Sequence, residues 1–190
     1  TSAPRVQSVD LDVLMEELRD LAQDAMTGAI WELPRFKTTP IYLRSIRDFA
    51  FAGDGEPTSS QLFASAIEQL NALKHELGLE RVKTIVLTNA TLLHLPHVKR
   101  GIELLDNAAS DIWCKLDAGT ESYFQQVNRS KFSLKHCLDN ILALAKRRPI
   151  TIQSMFMRLD GAAPPAEEIS RYIDSIRWMV TQGGKFRLIQ

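Results

Sequence analysis

Five short runs rich in aromatic and β-branched residues start at intervals of roughly 30 to 40 residues, the length of one strand–helix unit. They are 48–52 (DFAFA), 82–87 (VKTIVL), 111–116 (DIWCKL), 150–157 (ITIQSMFM) and 185–190 (KFRLIQ). Between them the apolar residues recur with helical spacing. A chain that alternates in this way is confined to a parallel sheet with right-handed crossovers, either doubly wound or part of a barrel.

The helices punctuate themselves. Leu11, Leu14, Met15, Leu18, Leu21, Ala22 and Ala25 make a first helix that Asp10 caps and Gly28 ends. Residues 30–46, with Pro34 and Pro40, have no period and read as a connection wrapping the surface. Thr58, Ser59 and Ser60 offer cap oxygens for a helix carrying Leu62, Phe63, Ala66, Ile67, Leu70, Leu73 and Leu77. Pro96 opens a short helix, and Pro149 blocks the helix that holds Leu134, Cys137, Leu138, Ile141 and Leu142. Pro164-Pro165 starts the last helix, with Glu167 and Glu168 set against its amino-terminal dipole. The first helix has no strand ahead of it. The chain therefore reads as a fragment of one domain: residues 1–46 form a helix and connection, and 47–190 form a βα core whose first strand lies upstream.

Lys and Arg balance Asp and Glu at 23 each, so no overall field draws in nucleic acid or a membrane surface, though a local basic patch stays open. No apolar run approaches ~20 residues, and the chain reads as soluble and cytoplasmic. Two cysteines, Cys114 and Cys137, are too few for a disulfide framework or a cysteine-only metal site, and both read as small buried apolar groups.

The polar residues collect where strands end: GDGEPT at 53–58, TNAT at 88–91, KLDAGT at 115–120 and MRLDG at 157–161. In parallel α/β folds ligands bind at that edge. Gly53 and Gly55 allow close backbone approach there. Strand alternation puts Trp113, Lys115 and Asp117 on one face and Ile112, Cys114 and Leu116 on the other. The Lys115–Asp117 pair is then either an ion pair filling a barrel or a pair facing substrate. His94 and His97, three apart, are candidate metal ligands with Asp54 or Glu56; with no third ligand near in sequence they read better as a loop and a helix-start histidine. Arg158 and Asp160 share the same edge, and Asn128-Arg129 is placed to fold back over it. His75 and His136 are assigned nothing.

FAGDGEPT, TIVLTNATLL and IWCKLDAGTESYFQQVNR, in that order, resemble the core of radical S-adenosylmethionine (radical SAM) enzymes over roughly Phe49 to Gln190. The resemblance implies an α/β partial (βα)6 TIM-like barrel of parallel strands, open at the side, with the first strand and cluster loop missing. It implies that Gly53, Asp54, Gly55, Glu56 and Pro57 bind the methionyl amino group of S-adenosylmethionine, with Glu56 bracing the turn. Thr88, Asn89 and Gln153 would also face the cofactor, and Lys115 and Asp117 would be the catalytic pair. A [4Fe-4S] cluster on a CxxxCxxC loop, fed by a reductant such as flavodoxin or ferredoxin, would cleave the cofactor to a 5′-deoxyadenosyl radical that takes hydrogen from a small molecule, RNA base or protein. This chain has no CxxxCxxC, so the cluster is expected only in a longer protein and the fragment alone is expected to be inactive. Two other classes stay open on the residues alone: a barrel enzyme using Lys115 as a Schiff-base lysine with Asp117 as proton partner, and a non-catalytic α/β binding module.

Overall fold

The structure is a computed structural model and describes residues 9–53, 55–106 and 108–190. Helix α1 (Leu11–Thr27) leads through two 3-10 turns, Ala29–Glu32 and Ile41–Leu43, into strand β1 (Asp48–Phe51). There follow α2 (Phe63–Glu76), β2 (Lys83–Thr88), α3 (Pro96–Glu103), β3 (Ser110–Lys115), α4 (Glu121–Asn128), α5 (Leu134–Arg147), β4 (Ile150–Gln153), α6 (Ala166–Thr181) and β5 (Phe186–Ile189). All five strands pair in parallel, in the order β1-β2-β3-β4-β5. That order decides between the two topologies open on sequence. A strand order that never reverses, with crossovers of one hand, puts every crossover helix on the same face and winds the sheet as a barrel. The sheet does not close.

Register sorts the side chains. Val86 pairs Ile112 and Cys114 pairs Ile152, all on the helix-covered face and all essentially inaccessible. Phe63, Ile67, Val98, Ile141, Ala145 and Met179 pack over them. Burying each large apolar side chain stabilises by about 1.5–3 kcal/mol, so this layer is the main source of cohesion. The opposite, concave face carries Ile85, Leu87, Trp113, Lys115 and Gln153, all only half-buried. Helix α1 adds a small second cluster, in which Ala22, Phe49 and Leu70 meet with Met15 and Leu18 beside them.

The structure departs from the sequence expectations in three places. Leu14 and Leu21 of α1 are exposed, because the helix leans on the fold through a narrow stripe rather than the full apolar face. Helix α2 begins at Phe63 and not at Ser59–Gln61, because Glu56 caps a 3-10 turn over Pro57–Ser59 that intervenes; Ser60 Oγ accepts only from Leu62 N. Strand β4 stops at Gln153, four residues short of Met157, because the Met155 amide turns away to Asp117. Other signals hold: Asp10 accepts from Asp12 N and Val13 N, Gly28 ends α1 at φ 95°, and Pro96 is the first residue of α3. No helix of the described residues is long and apolar enough to cross a membrane.

Candidate functional site

Because all strands run parallel, their four connecting loops gather along one rim. Each is held by a side chain from a neighbouring element. Glu56 is the first. Its Oε1 accepts from Thr58 N (3.2 Å), Thr58 Oγ1 (2.5 Å) and Thr88 Oγ1 (2.7 Å), and its Oε2 accepts from Asn89 N at 2.7 Å. One carboxylate thus fastens the glycine turn after β1 to the tip of β2. Charge-assisted bonds of this kind are roughly twice as strong as neutral ones. From the start of α3, His97 Nε2 donates to Thr58 O at 3.1 Å, a second tie on the same turn. The glycines themselves are left open: a Cβ on Gly53 or Gly55 would meet nothing within 4 Å, and Gly53 sits at φ 137°, a conformation only glycine adopts readily. Asp54 lies outside the described residues.

The β2 tip is an alanine turn. Ala90, fully buried, takes φ 63°. Its N–H donates to Thr88 Oγ1 at 3.1 Å, and the Asn89 Oδ1 accepts from Thr91 N (3.0 Å) and Thr91 Oγ1 (2.7 Å). Behind it, Asn140 and His136 of α5 donate to the Ala90 and Thr91 carbonyls.

The third loop carries Lys115 and Asp117. Lys115 sits beside Gln153 in register, and its Nζ is 4.0 Å from Asp117 Oδ2, the outer limit of an ion pair. Asp117 is 2 % exposed and its oxygens are engaged elsewhere: Oδ1 accepts from Met155 N at 2.9 Å and Oδ2 from Asn128 Nδ2 at 3.3 Å. Asp117 therefore latches the third loop to the fourth. Lys115 keeps a half-exposed ammonium over the concave face. Farther along, Gly119 lies against the backbone of α6 so closely that any Cβ would overlap Tyr172 and Glu168. Glu168, 3 % exposed, accepts there from Gly119 N and, at 2.6 Å, from Thr120 Oγ1. Thr120 in turn caps α4 by accepting from Tyr123 N.

A cleft of about 570 Å³ opens between the third and fourth loops, lined by Thr120, Ser122, Tyr123, Asp160, Glu167 and Glu168 among others. The Tyr123 hydroxyl is buried without a hydrogen-bond partner among the described residues. Ser154 and the Tyr172 hydroxyl meet at 2.7 Å on the α6 side. Burial pushes the Tyr172 phenol up, partly opposed by Ser154 and reinforced by the charge of Asp117.

The structure brings Gly53, Gly55, Glu56 and Pro57 together with Thr88 and Asn89, and sets Lys115 and Gln153 side by side on the concave face. It does not join His94 and His97 to Glu56. His97 is spent on Thr58 O, and His94 lies edge-on to His136 with ring centroids 5.0 Å apart. Arg158 donates to Gly161 O within its own loop. No cluster of three or more His, Cys, Asp or Glu among the described residues is arranged to hold a metal. Cys114 points under the helices and Cys137 sits in α5; burial raises both thiols, Cys137 to about 11. These neutral, inaccessible thiols do not fit an iron–sulfur cluster, whose anchors are thiolates. Glu168, Asn140 and His136 are contributors that sequence reasoning passed over. Glu168 was legible as a helix-start acid and nothing more.

The sheet and its rim define an open, singly wound parallel α/β barrel. Among solved structures it is similar to the crystal structure of archaeal TYW1, at 17 % sequence identity and a TM-score of 0.54, over 94 % of this chain and 56 % of that one. The chain thus spans little more than half the length of that protein. No protein-family model and no curated protein sequence matches it.

Proposed function

We propose that the chain is the S-adenosylmethionine-binding core of a radical SAM enzyme. The observation that carries the reading is the Glu56 carboxylate, which gathers four donors from Thr58, Thr88 and Asn89 beside the unobstructed Gly53 and Gly55 at the rim. The radical SAM-like fold shared with archaeal TYW1 supports it at the level of architecture.

In this reading Gly53, Gly55 and Pro57 take the amino-acid end of the cofactor through backbone groups, as Asp54 is also expected to do. Thr88 and Asn89 stand on the far side of the brace, and Lys115 and Gln153 face the bound molecule from the concave wall. Asp117 acts by position, holding the loop that carries Lys115 against Met155. When bound, S-adenosylmethionine supplies hydrogen-abstraction chemistry, for which an electron must come from a cluster that the two cysteines here do not fit. The substrate, a reductant such as flavodoxin or ferredoxin, and a cytoplasmic setting belong to the same proposal.

The test is direct binding. S-adenosylmethionine added to this chain should shift the amide resonances of Gly53, Gly55 and Asn89, and Glu56→Ala should abolish those shifts. A chain that leaves S-adenosylmethionine unbound, yet is trapped by borohydride with a small aldehyde at Lys115, would move the assignment to Schiff-base chemistry.

A further inference from the structure

Helix α5 turns an apolar stripe toward the core: Cys137, Ile141, Leu144 and Ala145 are buried along it. Asn140 interrupts that stripe and is itself 92 % buried, at 8 % exposure. A buried carboxamide is costly unless its groups are bonded. Its Nδ2 donates to Ala90 O at 2.9 Å and Thr91 O at 3.2 Å. With carbonyls on both sides, that end of the amide can only be the NH2. His136, one turn earlier, donates from Nε2 to the same Thr91 O at 2.8 Å.

The segment gripped in this way is a strained one. Ala90 holds φ 63°, in the left-handed region, where a Cβ crowds the backbone and glycine is the residue at ease. It is one of three residues other than glycine with positive φ among the described residues, and the one that is wholly inaccessible. The turn at Ala90 folds the Asn89 Oδ1 back onto Thr91 and sets the Asn89 N–H on Glu56 Oε2. The Asn89 Nδ2 is left without a partner among the described residues.

We infer that Asn140 is a positioning residue: by bonding the Ala90 and Thr91 carbonyls from behind, it holds alanine in a glycine conformation and thereby fixes Asn89 on the rim beside Glu56. The strain is local and the restraint comes from another element, with His136 bonding Thr91 O alone and Asn140 reaching both carbonyls, Ala90 O included, as strained backbone at functional sites generally requires. The inference rests on the proposal that Asn89 faces a ligand, but the placement of Asn89 is measurable without any ligand.

A double-mutant cycle tests it. Hydrogen exchange of the Asn89 amide is measured in the whole chain for the wild type, Asn140→Ala, Ala90→Gly and the double variant. Asn140→Ala is expected to speed exchange about tenfold in the wild-type background, a change of about 1.4 kcal/mol. In the Ala90→Gly background, where the turn needs no restraint, the same substitution should cost less than about threefold. A role confined to filling the core predicts an equal cost in both backgrounds, and that result overturns the inference. If Asn140→Ala does not fold, recovery of the fold on adding Ala90→Gly supports it and failure to recover overturns it. The same four proteins are titrated with S-adenosylmethionine, where apparent affinity should follow the exchange cycle. Should the wild type bind none, the ligand proposal fails while the exchange cycle still decides the role of Asn140.

Discussion

Gly119→Ala isolates the tightest contact of the rim. A Cβ at this position would lie 2.5 Å from Glu168 O and 2.7 Å from Tyr172 Cα, closer still to Tyr172 N, and all three atoms are backbone of α6. Backbone cannot rotate aside as a side chain would, so either the third loop or α6 must move. Overpacking of this kind costs typically about 1–3 kcal/mol. The movement also pulls Gly119 N and Thr120 Oγ1 from the Glu168 carboxylate, whose 3 % exposure leaves no water to replace them. Losing part of those charge-assisted bonds adds about 1.5–3 kcal/mol, for a total of about 2.5–6 kcal/mol. In a domain of this length each kcal/mol lowers Tm by about 2–4 °C, so a fall of about 5–24 °C is expected. Urea unfolding followed by circular dichroism gives the free energy, and Gly55→Ala is the control. That glycine has nothing within 4 Å of its would-be Cβ, and its replacement should change stability by less than about 1 kcal/mol while weakening S-adenosylmethionine binding. If Gly119→Ala unfolds within about 1 kcal/mol of wild type, the docking of the third loop on α6 is wrong.

Three further outcomes are expected. Glu56→Ala leaves the Thr88 hydroxyl and the Asn89 amide without their acceptor, and urea unfolding should show a loss of about 2–4 kcal/mol; an unchanged midpoint would mean the brace carries no energy. Both cysteines should resist a thiol reagent in the native chain at pH 8 and react fully in urea, since the Cys137 thiol, at about 11, is ionised to only about one part in a thousand there. Rapid native labelling of either would refute their burial. Lys74, 4 % exposed, donates to Thr84 Oγ1 at 3.1 Å and is held below the usual 10.5 by burial, against the opposing pull of Asp106 and Glu80. The unfolded chain therefore binds this proton more tightly, so wild-type stability should rise relative to Lys74→Met as pH climbs toward 10.5. Parallel pH profiles for the two proteins would show that Lys74 is not depressed.

The alternation of strand and helix, the caps at Asp10 and Gly28, the proline starts and the two-faced pattern of IWCKLD were legible because each is set by neighbours along the chain. So was the gathering of the four polar loops on one edge, which follows from parallel strands. Three things were hidden for one reason, that their partners are remote in sequence. Thr58, Ser59 and Ser60 looked like cap residues of α2, but Glu56, bonded also to Thr88 and Asn89, imposed a 3-10 turn first. MFM at 155–157 looked like strand, but Asp117, 38 residues earlier, claims the Met155 amide. Asn140 sat in a helix as one polar residue among many, and only the conformation of Ala90, 50 residues earlier, gives it a task. The reverse holds for Asp117, which looked like a catalytic partner of Lys115 and whose carboxylate is occupied as a latch.

The most direct measurement is a titration of S-adenosylmethionine into the isotope-labelled chain, followed by amide shifts under anaerobic, reducing conditions. Saturable changes clustered at Gly53, Gly55 and Asn89, absent in Glu56→Ala folded under the same conditions, are the expected result. Shifts scattered away from the rim, or none at any concentration, would contradict a cofactor cradle at this edge of the sheet.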